Sequence, residues 1–369
     1  MLMVIIGAGA SYDSCPTYPA GRRPKSSNEV VDEDHRPPLA NQLFDNRPAF
    51  AKALVGYPEC LKIAPYLRQL PQDKTLEAVL QDLQSAAVKY PEKERQFAEV
   101  RCYLHDVITR SAQSWSEVGM GVSNYKTLLY EIDRTRKTTE PVCLVTFNYD
   151  TLLDDALWHS GLSIDKLADY IGRHAYYRLF KLHGSVNWAR EVELTLLGNT
   201  NMGDPHGVLR QVIARAKEMR VTDRYLFSPS KVMGIVEGKL AFPAIAVPVE
   251  RKQQFECPEF MLEELRKLLP EVTAILTIGW RATEAHFLEL LKQGVKRSVQ
   301  LHVVAGPRIR NYDPPGEEVS ARLCTALPHN STAPHLSIRA ASPTSYLPAA
   351  LGNFSIPEVA GGPPTRFAL

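Results

Sequence analysis

Three short turns in this chain combine glycine, amide, carboxylate and imidazole groups, and each follows an apolar run typical of a buried strand. The turns are Gly7-Ala8-Gly9-Ala10-Ser11 after residues 1–6, Thr146-Phe147-Asn148-Tyr149-Asp150 after residues 142–145, and His183-Gly184-Ser185 after residues 177–182. In open α/β sheets, ligands bind at the carboxyl ends of the parallel strands. We therefore expect the three turns to line one ligand-binding edge of a sheet.

The groups in these turns suit proton transfer and the binding of sugars and phosphates. Asn148 carries an amide that can donate to a sugar hydroxyl and accept from a water, so it could hold a nucleophile near an anomeric carbon. His183 carries an imidazole, a group whose unperturbed pKa of about 6.5 suits proton transfer at neutral pH. Gly7 and Gly9 lack a Cβ, so their backbone could approach a pyrophosphate closely and donate N–H groups to it.

Each of these residues also has an interpretation without a ligand. The glycine turn could be a tight strand-to-loop connection, and His183 could satisfy buried backbone groups. Asp150 could form an Asx turn and the N-cap of a helix over residues 151–158. The fingerprint of ordinary dehydrogenases is disfavoured, because Tyr12 occupies the position of its third glycine and no acidic residue follows a second strand at the usual spacing.

The elements that must position these turns predict an α/β fold, a Rossmann-like parallel sheet with a large all-helical insertion. Apolar residues recur at helical spacing through residues 39–138, between the first strand and the strand before Asn148; the repeat at Leu76, Val79, Leu80 and Leu83 is an example. A further unit follows later in the chain: a buried strand over residues 272–278, Gly279 at the turn, a helix capped by Thr283, and another strand over residues 299–304.

Other segments have weaker patterns. Residues 240–249 are apolar but contain Pro243 and Pro248, which predicts edge strands or an extended loop. Residues 12–38 are polar and rich in proline, and a loop of this length inside a compact domain is usually functional or disordered. We place one domain over residues 1–310, with the helical insertion at about 39–138, and an irregular tail over residues 311–369, where helical periodicity fades.

Composition narrows the class of protein. The 369 residues are 44% hydrophobic and 23% charged, as in ordinary globular proteins, and a net charge of +2 gives no general attraction to nucleic acid. The six cysteines include no C-x-x-C pair, so we expect free thiols in a reducing cytoplasm and no bound metal. The apolar run at residues 1–6 has no basic flank and is too short for a signal peptide or a membrane span, which predicts a cytoplasmic protein without a membrane partner.

The order of the turns, glycine-rich, Asn-x-Asp and His-Gly, resembles the sirtuin family over residues 1 to about 307. In sirtuins the three turns wrap NAD, so the resemblance implies that Asn148 and His183 are the catalytic pair at the nicotinamide ribose. It implies that Asp150 accepts from the nicotinamide carboxamide, that Gly279 and Trp280 lie near the adenosine ribose, and that residues 12–38 are the mobile cofactor-binding loop. The other cofactor-binding residues that it implies are Gly7, Ala8, Gly9, Ala10, Ser11, Thr146, Gly184 and Ser185.

Departures from the sirtuin pattern separate the possible activities. Phe147 stands where deacylases carry Gln before the Asn, their four zinc cysteines are missing, and their Asp-Phe-Arg stretch has no match. The remaining motifs resemble the sirtuin-like NADases of prokaryotic anti-phage defence, which hydrolyse NAD to nicotinamide and ADP-ribose when a partner senses infection. The resemblance therefore implies an NAD+ glycohydrolase that has NAD as its substrate and binds no metal.

Control of such an activity is expected to come from self-association or from a separate sensor, such as an Argonaute-like or ATPase subunit, because no segment of the sequence has the pattern of a sensor domain. Two alternatives to the NADase stay open at this point. One is a non-catalytic module that binds NAD or ADP-ribose, and the other is a protein deacylase or ADP-ribosyltransferase.

Overall fold

The computed structural model describes residues 1–19, 34–70, 74–136, 140–172, 174, 176–195, 200–249, 254–306 and 316–328. The strands are β1 (Leu2–Ile6), β2 (Val142–Thr146), β3 (Tyr177–Lys181), β4 (Gly184–Glu193), β5 (Arg220–Phe227), β6 (Gly234–Val236), β7 (Lys239–Ile245), β8 (Ala274–Ile278) and β9 (Gln300–Val304). The α-helices are α1 (Ala8–Tyr12), α2 (Pro48–Leu54), α3 (Pro58–Arg68), α4 (Leu76–Ala87), α5 (Pro91–Val118), α6 (Asn124–Thr135), α7 (Leu152–His159), α8 (Asp169–Gly172), α9 (Pro205–Ala214), α10 (Glu259–Leu268), α11 (Ala285–Gly294) and α12 (Gly316–Ala326).

A five-stranded parallel sheet forms the centre of the fold, in the order β3-β2-β1-β8-β9. Its strands are short runs rich in Val, Ile and Leu, and every residue of β1, β2 and β8 is buried. Continuous apolar runs of this kind are typical of parallel strands covered on both faces. The prediction of an α/β fold with a Rossmann-like parallel sheet is therefore confirmed.

The strand order reverses beside β1. From β1 the chain adds β2 and then β3 on one side, and later adds β8 and β9 on the other side. In doubly wound sheets a ligand crevice opens at such a switch point, outside the carboxyl ends of the strands. The turns after β1, β2, β3 and β8 all lie at this edge, because parallel strands end on the same side of the sheet.

A second sheet was not predicted from the sequence. It is antiparallel, in the order β5-β4-β7-β6, and its strand β7 covers most of the segment predicted as edge strands or an extended loop. The position of the proline explains why β7 lies inside the sheet although its sequence predicts an edge strand or a loop. Pro243 pairs with Ala189 of β4, whereas β6 pairs only with residues 239–241, so the proline lies beyond the end of the neighbouring strand on its other side.

The helices between β1 and β2 divide between two hydrophobic cores. Buried residues of α2 to α5 pack with the antiparallel sheet and α9, where Tyr103 and Val107 join Val186 and Phe242. The α6 residues Leu128, Leu129 and Ile132 belong instead to the core of the parallel sheet. The described residues of the predicted insertion form helices and the turns between them, but they do not form a core of their own. The domain limits given above stay a prediction.

Part of the segment predicted to be an irregular tail is a helix. Residues Gly316–Ala326 form α12, which packs on α11 and β9. Its buried residues Val319, Leu323 and Ala326 have helical spacing, a short signal that the rise in proline content in this region obscures. Residues 307–315 and 329–369 lie outside the described residues, as do residues 20–33 of the predicted cofactor-binding loop.

Two features are absent from the described residues, a membrane-spanning helix and a metal-binding cluster. No helix among them is long and apolar enough to cross a membrane. No group of three or more His, Cys, Asp and Glu side chains in this part of the chain is arranged to hold a metal ion.

Candidate active site

The glycine turn after β1 packs directly against the turn after β8. The Gly7 N–H donates to Ile278 O at 3.0 Å and the Gly9 N–H to Gly279 O at 3.1 Å. A Cβ on Gly7 would lie 2.5 Å from Gly279 O, and one on Gly9 would lie 2.9 Å from Gly279 Cα. Gly279 itself has a φ of +60°, a left-handed conformation that glycine adopts without strain. The close approach of two backbone turns therefore requires these glycines even without a ligand.

This packing changes the interpretation of the glycine turn as a source of N–H donors. The N–H groups of Gly7 and Gly9 already donate to backbone carbonyls, and Ala10 N–H donates to Gly7 O at 3.0 Å. Ala8 is the exposed residue of the turn, whereas Ala10 and Ser11 are buried. The two glycines thus form the contact between the turns after β1 and β8, and their contact with a pyrophosphate stays a prediction.

The Asn148 side chain has a fixed orientation and an unsatisfied oxygen. Its Nδ2 donates to Gly7 O at 3.0 Å and to Ser11 Oγ at 2.9 Å. A carbonyl oxygen only accepts, so the amide nitrogen must face Gly7 and Oδ1 must point the other way. Oδ1 is buried and has no hydrogen-bond partner among the described residues. An unmade hydrogen bond of this kind costs about 1–3 kcal/mol, and a donor on a ligand would satisfy it.

Tyr125 is a site residue that the sequence did not reveal. It lies on α6, its hydroxyl is 2.8 Å from Ser11 Oγ, and Asn148 Nδ2 lies 3.4 Å from the same hydroxyl. Burial raises the pKa of Tyr125, so the side chain stays a neutral hydroxyl. In the sequence this tyrosine belongs to the apolar repeat of a helix, and nothing there indicates that its hydroxyl supports the Asn148 amide.

Asp150 adopts the Asx turn considered as its alternative. Its carboxylate Oδ1 accepts from Leu152 N–H at 3.0 Å, at the start of α7, which begins one residue later than the sequence predicted. Burial raises the pKa of Asp150, although the positive charge of Lys181 acts in the opposite direction. The contact with a nicotinamide carboxamide stays a prediction.

His183 follows the end of β3 by two residues and lies in an aromatic cluster rather than projecting from its turn. Its ring centroid is 4.8 Å from that of Phe147 and 6.3 Å from that of Tyr149, and only 3% of the residue is exposed. The next residue, Gly184, has a φ of +83°, and a Cβ there would collide with Ala244 O of β7. The glycine therefore turns the chain from the parallel sheet into the antiparallel sheet and fixes the position of His183.

A second imidazole, that of His286 in the first turn of α11, faces His183. The centroids of the two rings are 6.3 Å apart and their planes are nearly parallel, with an angle of 25° between them. The Phe255 ring also packs on His286, with 4.2 Å between the ring centroids. The sequence offers no signal for this residue, because His286 is adjacent to no turn motif and is brought to the site only by the packing of α11.

The cluster continues through Trp280. Its indole stacks on Phe147 at 5.3 Å and 12°, and its Nε1–H donates to Glu284 Oε2 at 2.6 Å. Trp280 is buried in this way, so its side chain lies inside the cluster and its proposed contact with an adenosine ribose stays a prediction. Glu284, not Thr283, is the N-cap of α11.

Thr146 and Ser185, which were also predicted as site residues, form hydrogen bonds with the backbone of the Asn148 turn. The Thr146 Oγ1 accepts from Asn148 N–H at 3.1 Å, and the Ser185 hydroxyl donates to Tyr149 O at 3.3 Å. The strand register pairs Thr146 with Lys181, and Leu182 N–H donates to Thr146 O at 3.0 Å. The turns that carry Asn148 and His183 are thus neighbours at the carboxyl ends of adjacent strands.

Comparison with known proteins supports a sirtuin-like segment at this place. Residues 142–202 match the family described as a SIR2-like domain, a match that includes both turns but less than half of the chain. No curated protein matches the sequence.

Solved structures of sirtuin homologues are similar to this chain at low identity. A complex described as a Sir2 homologue with NAD is 14% identical and has a TM-score of 0.29, with 88% of each chain covered. A mutant Sir2 homologue with ADP-ribose is 14% identical (TM-score 0.30; 88% of this chain and 91% of that chain), and a complex of Sir2, p53 peptide and NAD+ is 13% identical (TM-score 0.30; 88% and 92%). TM-scores this low support no inference about function.

Proposed function

We propose that this chain is an NAD+ glycohydrolase that cleaves NAD to nicotinamide and ADP-ribose. The observation that carries the proposal is the Asn148 amide, whose nitrogen is held by Gly7 and Ser11 and whose buried oxygen has no partner among the described residues. Its place at the switch point of a parallel sheet, where nucleotides bind in such folds, supports the same proposal. The SIR2-like match over residues 142–202 is a third, independent support.

The residues present could divide the reaction between them. Bound NAD would supply the bond to be broken, between the nicotinamide nitrogen and the anomeric carbon of the ribose. Asn148 Oδ1 would accept a hydrogen bond from a ribose hydroxyl or from the attacking water, and His183 would take the proton that this water loses as its oxygen bonds to carbon. Because the pair of electrons of the broken bond neutralises the nicotinamide, the leaving group needs no protein acid.

The burial of His183 favours one alternative. A ring that is 3% exposed and packed against Phe147 and Tyr149 is suited to shape a pocket as well as to move a proton. The alternative is a module that binds NAD or ADP-ribose without turnover. Protein deacylation has less support, since the sequence lacks the paired cysteines of the sirtuin zinc site.

Release of nicotinamide from NAD tests the proposal directly. We expect the purified chain to release nicotinamide and ADP-ribose in equal amounts, either alone or with the product of a neighbouring gene. Titration calorimetry with ADP-ribose should be run on the same samples. Binding of ADP-ribose without nicotinamide release under any condition would replace the hydrolase with the binding module, and absence of both would exclude both.

The biological setting belongs to the same proposal. An enzyme that removes NAD from its own cell fits an abortive-infection effector of anti-phage defence, acting in the cytoplasm under the control of a partner or of self-association. Expression with and without phage challenge, followed by measurement of cellular NAD, tests this role. NAD levels that do not change on infection would contradict it.

A further inference from the structure

A buried ion pair lies directly behind the two turns of the candidate site. Lys181, the last residue of β3, is 1% exposed, and its Nζ is 2.9 Å from Asp154 Oδ2 in α7. The same ammonium donates to the backbone carbonyl of Asp150. Lys181 therefore joins three elements: the strand that leads to His183, the turn that carries Asn148, and the helix that follows this turn.

A hydrogen-bonded network fixes the carboxylate of this pair. Tyr170 of α8 donates its hydroxyl proton to Asp154 Oδ1 at 2.7 Å, and Asn187 Nδ2 of β4 donates to the Tyr170 oxygen at 3.0 Å. All these side chains are buried. Both oxygens of Asp154 thus have partners, which gives the ammonium of Lys181 a single fixed position.

Energy considerations argue that stability alone does not account for this pair. Removing two charges from water costs about as much as their attraction returns, and replacing both partners of a buried pair by apolar residues is often neutral for stability. Removing one partner alone typically costs about 3–5 kcal/mol, because it leaves an uncompensated buried charge. A buried pair at this place is better explained by the fixed geometry that it imposes on its neighbours.

We propose that the Lys181–Asp154 pair is a positioning device that holds the turns of Asn148 and His183 in register for the reaction. Lys181 contacts no reacting atom in this proposal, which rests on the proposed NAD hydrolysis. It acts through the Asp150 carbonyl, which it holds two residues after Asn148, and through its own place two residues before His183.

A double-mutant cycle separates positioning from stability. The variants are Lys181→Met, Asp154→Leu and the combination of the two; the Tyr170 hydroxyl can then donate to Asn187 Oδ1, which lies 3.3 Å away. The matched control is Lys267→Met combined with Glu264→Leu, which removes an exposed pair on α10. For each variant we would measure the midpoint of urea denaturation, kcat and KM for NAD, and hydrogen exchange of the peptide amides of residues 146–152.

Each single variant should lower the denaturation midpoint strongly, and the double variant should recover most of it. If the pair positions the turns, kcat of the double variant stays lower by about tenfold to a hundredfold with KM little changed, because small misplacements of reacting groups have effects of this size. Amide exchange at residues 146–152 should become faster in the double variant and stay unchanged in the control. Recovery of kcat and of exchange protection together with stability would overturn the proposal.

Two outcomes would prevent the kcat comparison, a double variant that does not fold and a wild-type chain without activity, and a further measurement covers each of them. If the double variant does not fold, Tyr170→Phe decides, since it removes only the hydroxyl that holds Asp154: a severalfold lower kcat supports positioning, and an unchanged kcat contradicts it. If the wild-type chain releases no nicotinamide either alone or with the product of a neighbouring gene, the proposed hydrolysis fails, and amide exchange alone decides whether the pair holds the turn.

Discussion

At the scale of single residues, the informative feature of the site is that Asn148 has one satisfied and one unsatisfied end. The amide nitrogen has three neighbouring oxygens, those of Gly7, Ser11 and Tyr125, while the oxygen has none among the described residues. An asparagine that served only to satisfy buried backbone groups would use its oxygen as well. The side chain is thus held ready to accept a hydrogen bond from a group that the described residues do not provide.

The first prediction concerns the proposed catalytic pair, Asn148 and His183. Asn148→Ala and His183→Ala should each lower NAD turnover by about a hundredfold to ten-thousandfold, because each removes a group that contacts the reacting atoms in the proposed reaction. The measurement is nicotinamide release, with circular dichroism to establish that each variant is folded. Asn201→Ala and His206→Ala replace exposed residues of the same types and serve as controls. Wild-type turnover in both site variants would show that the residues are assigned wrongly.

The second prediction concerns pH and stability at Asp150. Because burial raises the pKa of this carboxyl in the folded chain, the folded state binds the proton more tightly than the unfolded state. The destabilising effect of Asp150 is absent at a pH below its unfolded pKa and develops as pH rises through the folded pKa. Asp150→Asn keeps an oxygen that accepts from Leu152 N–H but carries no titrating carboxyl. The free energy of unfolding of this variant, relative to that of the wild type, should therefore rise between strongly acidic and neutral pH.

Urea denaturation at several pH values measures this difference. Glu263→Gln, at an exposed position of α10, is the control, and it should show a smaller change with pH. A difference between Asp150→Asn and wild type that is the same at every pH would contradict the shift.

At the scale of elements, the parallel sheet could be predicted and the antiparallel sheet could not. The strands β1, β2 and β8 are fully buried, so each gives an uninterrupted apolar run in the sequence. In contrast, only Leu226 and Phe227 of β5 are buried and the strand carries Arg220, Asp223 and Arg224, and β7 contains a proline, so neither has the pattern of an ordinary strand. Their pairing depends on the turn at Gly184 and on α5, a helix from another part of the chain, which local patterns cannot indicate.

The residues of the candidate site also divide into those that the sequence could predict and those that it could not. The residues on strand ends, Asn148 and His183, could be named because their turns follow recognisable strands. Tyr125 and His286 could not, because helices bring them to the site from distant parts of the sequence. The function of the glycines also required the structure, since their closest neighbours belong to a turn some 270 residues later in the chain.

The third prediction concerns the contact between the turns after β1 and β8. Gly9→Ala would place a Cβ 2.9 Å from Gly279 Cα and push the two turns apart, so we expect a loss of about 1–3 kcal/mol in stability together with weaker ADP-ribose binding. Gly9→Val should be worse in both respects. Gly306→Ala is the control, because a Cβ there meets nothing within 4 Å. Weaker binding at full stability would instead favour a pyrophosphate directly above the glycine.

The fourth prediction concerns α6, which joins the helical insertion to the site. Tyr125→Phe removes the hydroxyl beside Ser11 and Asn148 but keeps the ring in the core. We expect the free energy of unfolding to fall by about 1 kcal/mol and kcat to fall severalfold, because the amide of Asn148 loses part of its support. Tyr130→Phe, on the same helix and exposed, is the control. If kcat is unchanged, Tyr125 serves packing only.

At the scale of the whole molecule, the two cores meet around the candidate site. His183 is followed at once by β4, which carries the chain into the antiparallel sheet, and His105 of α5 is 2.8 Å from Val186 O of that strand. The ion pair between Arg281 and Glu77, at 2.9 Å, joins the turn after β8 to α4. A shift of the helices between β1 and β2 relative to the parallel sheet would therefore change the environment of His183.

The last prediction follows from this coupling and from the burial of His183. An NADase that was always active would remove the NAD of its own cell, so the activity must be controlled, and in the single chain the imidazole is packed among aromatic rings. We predict that the isolated chain is nearly silent and that self-association or a separate sensor protein activates it by moving these elements. The rate of nicotinamide release per chain should then rise with protein concentration, or on addition of a neighbouring gene product, in parallel with the assembly seen by analytical ultracentrifugation. Full activity per chain in a dilute sample that is strictly monomeric would mean that the packed cluster is no barrier, and control would have to act on NAD access or on the amount of protein instead.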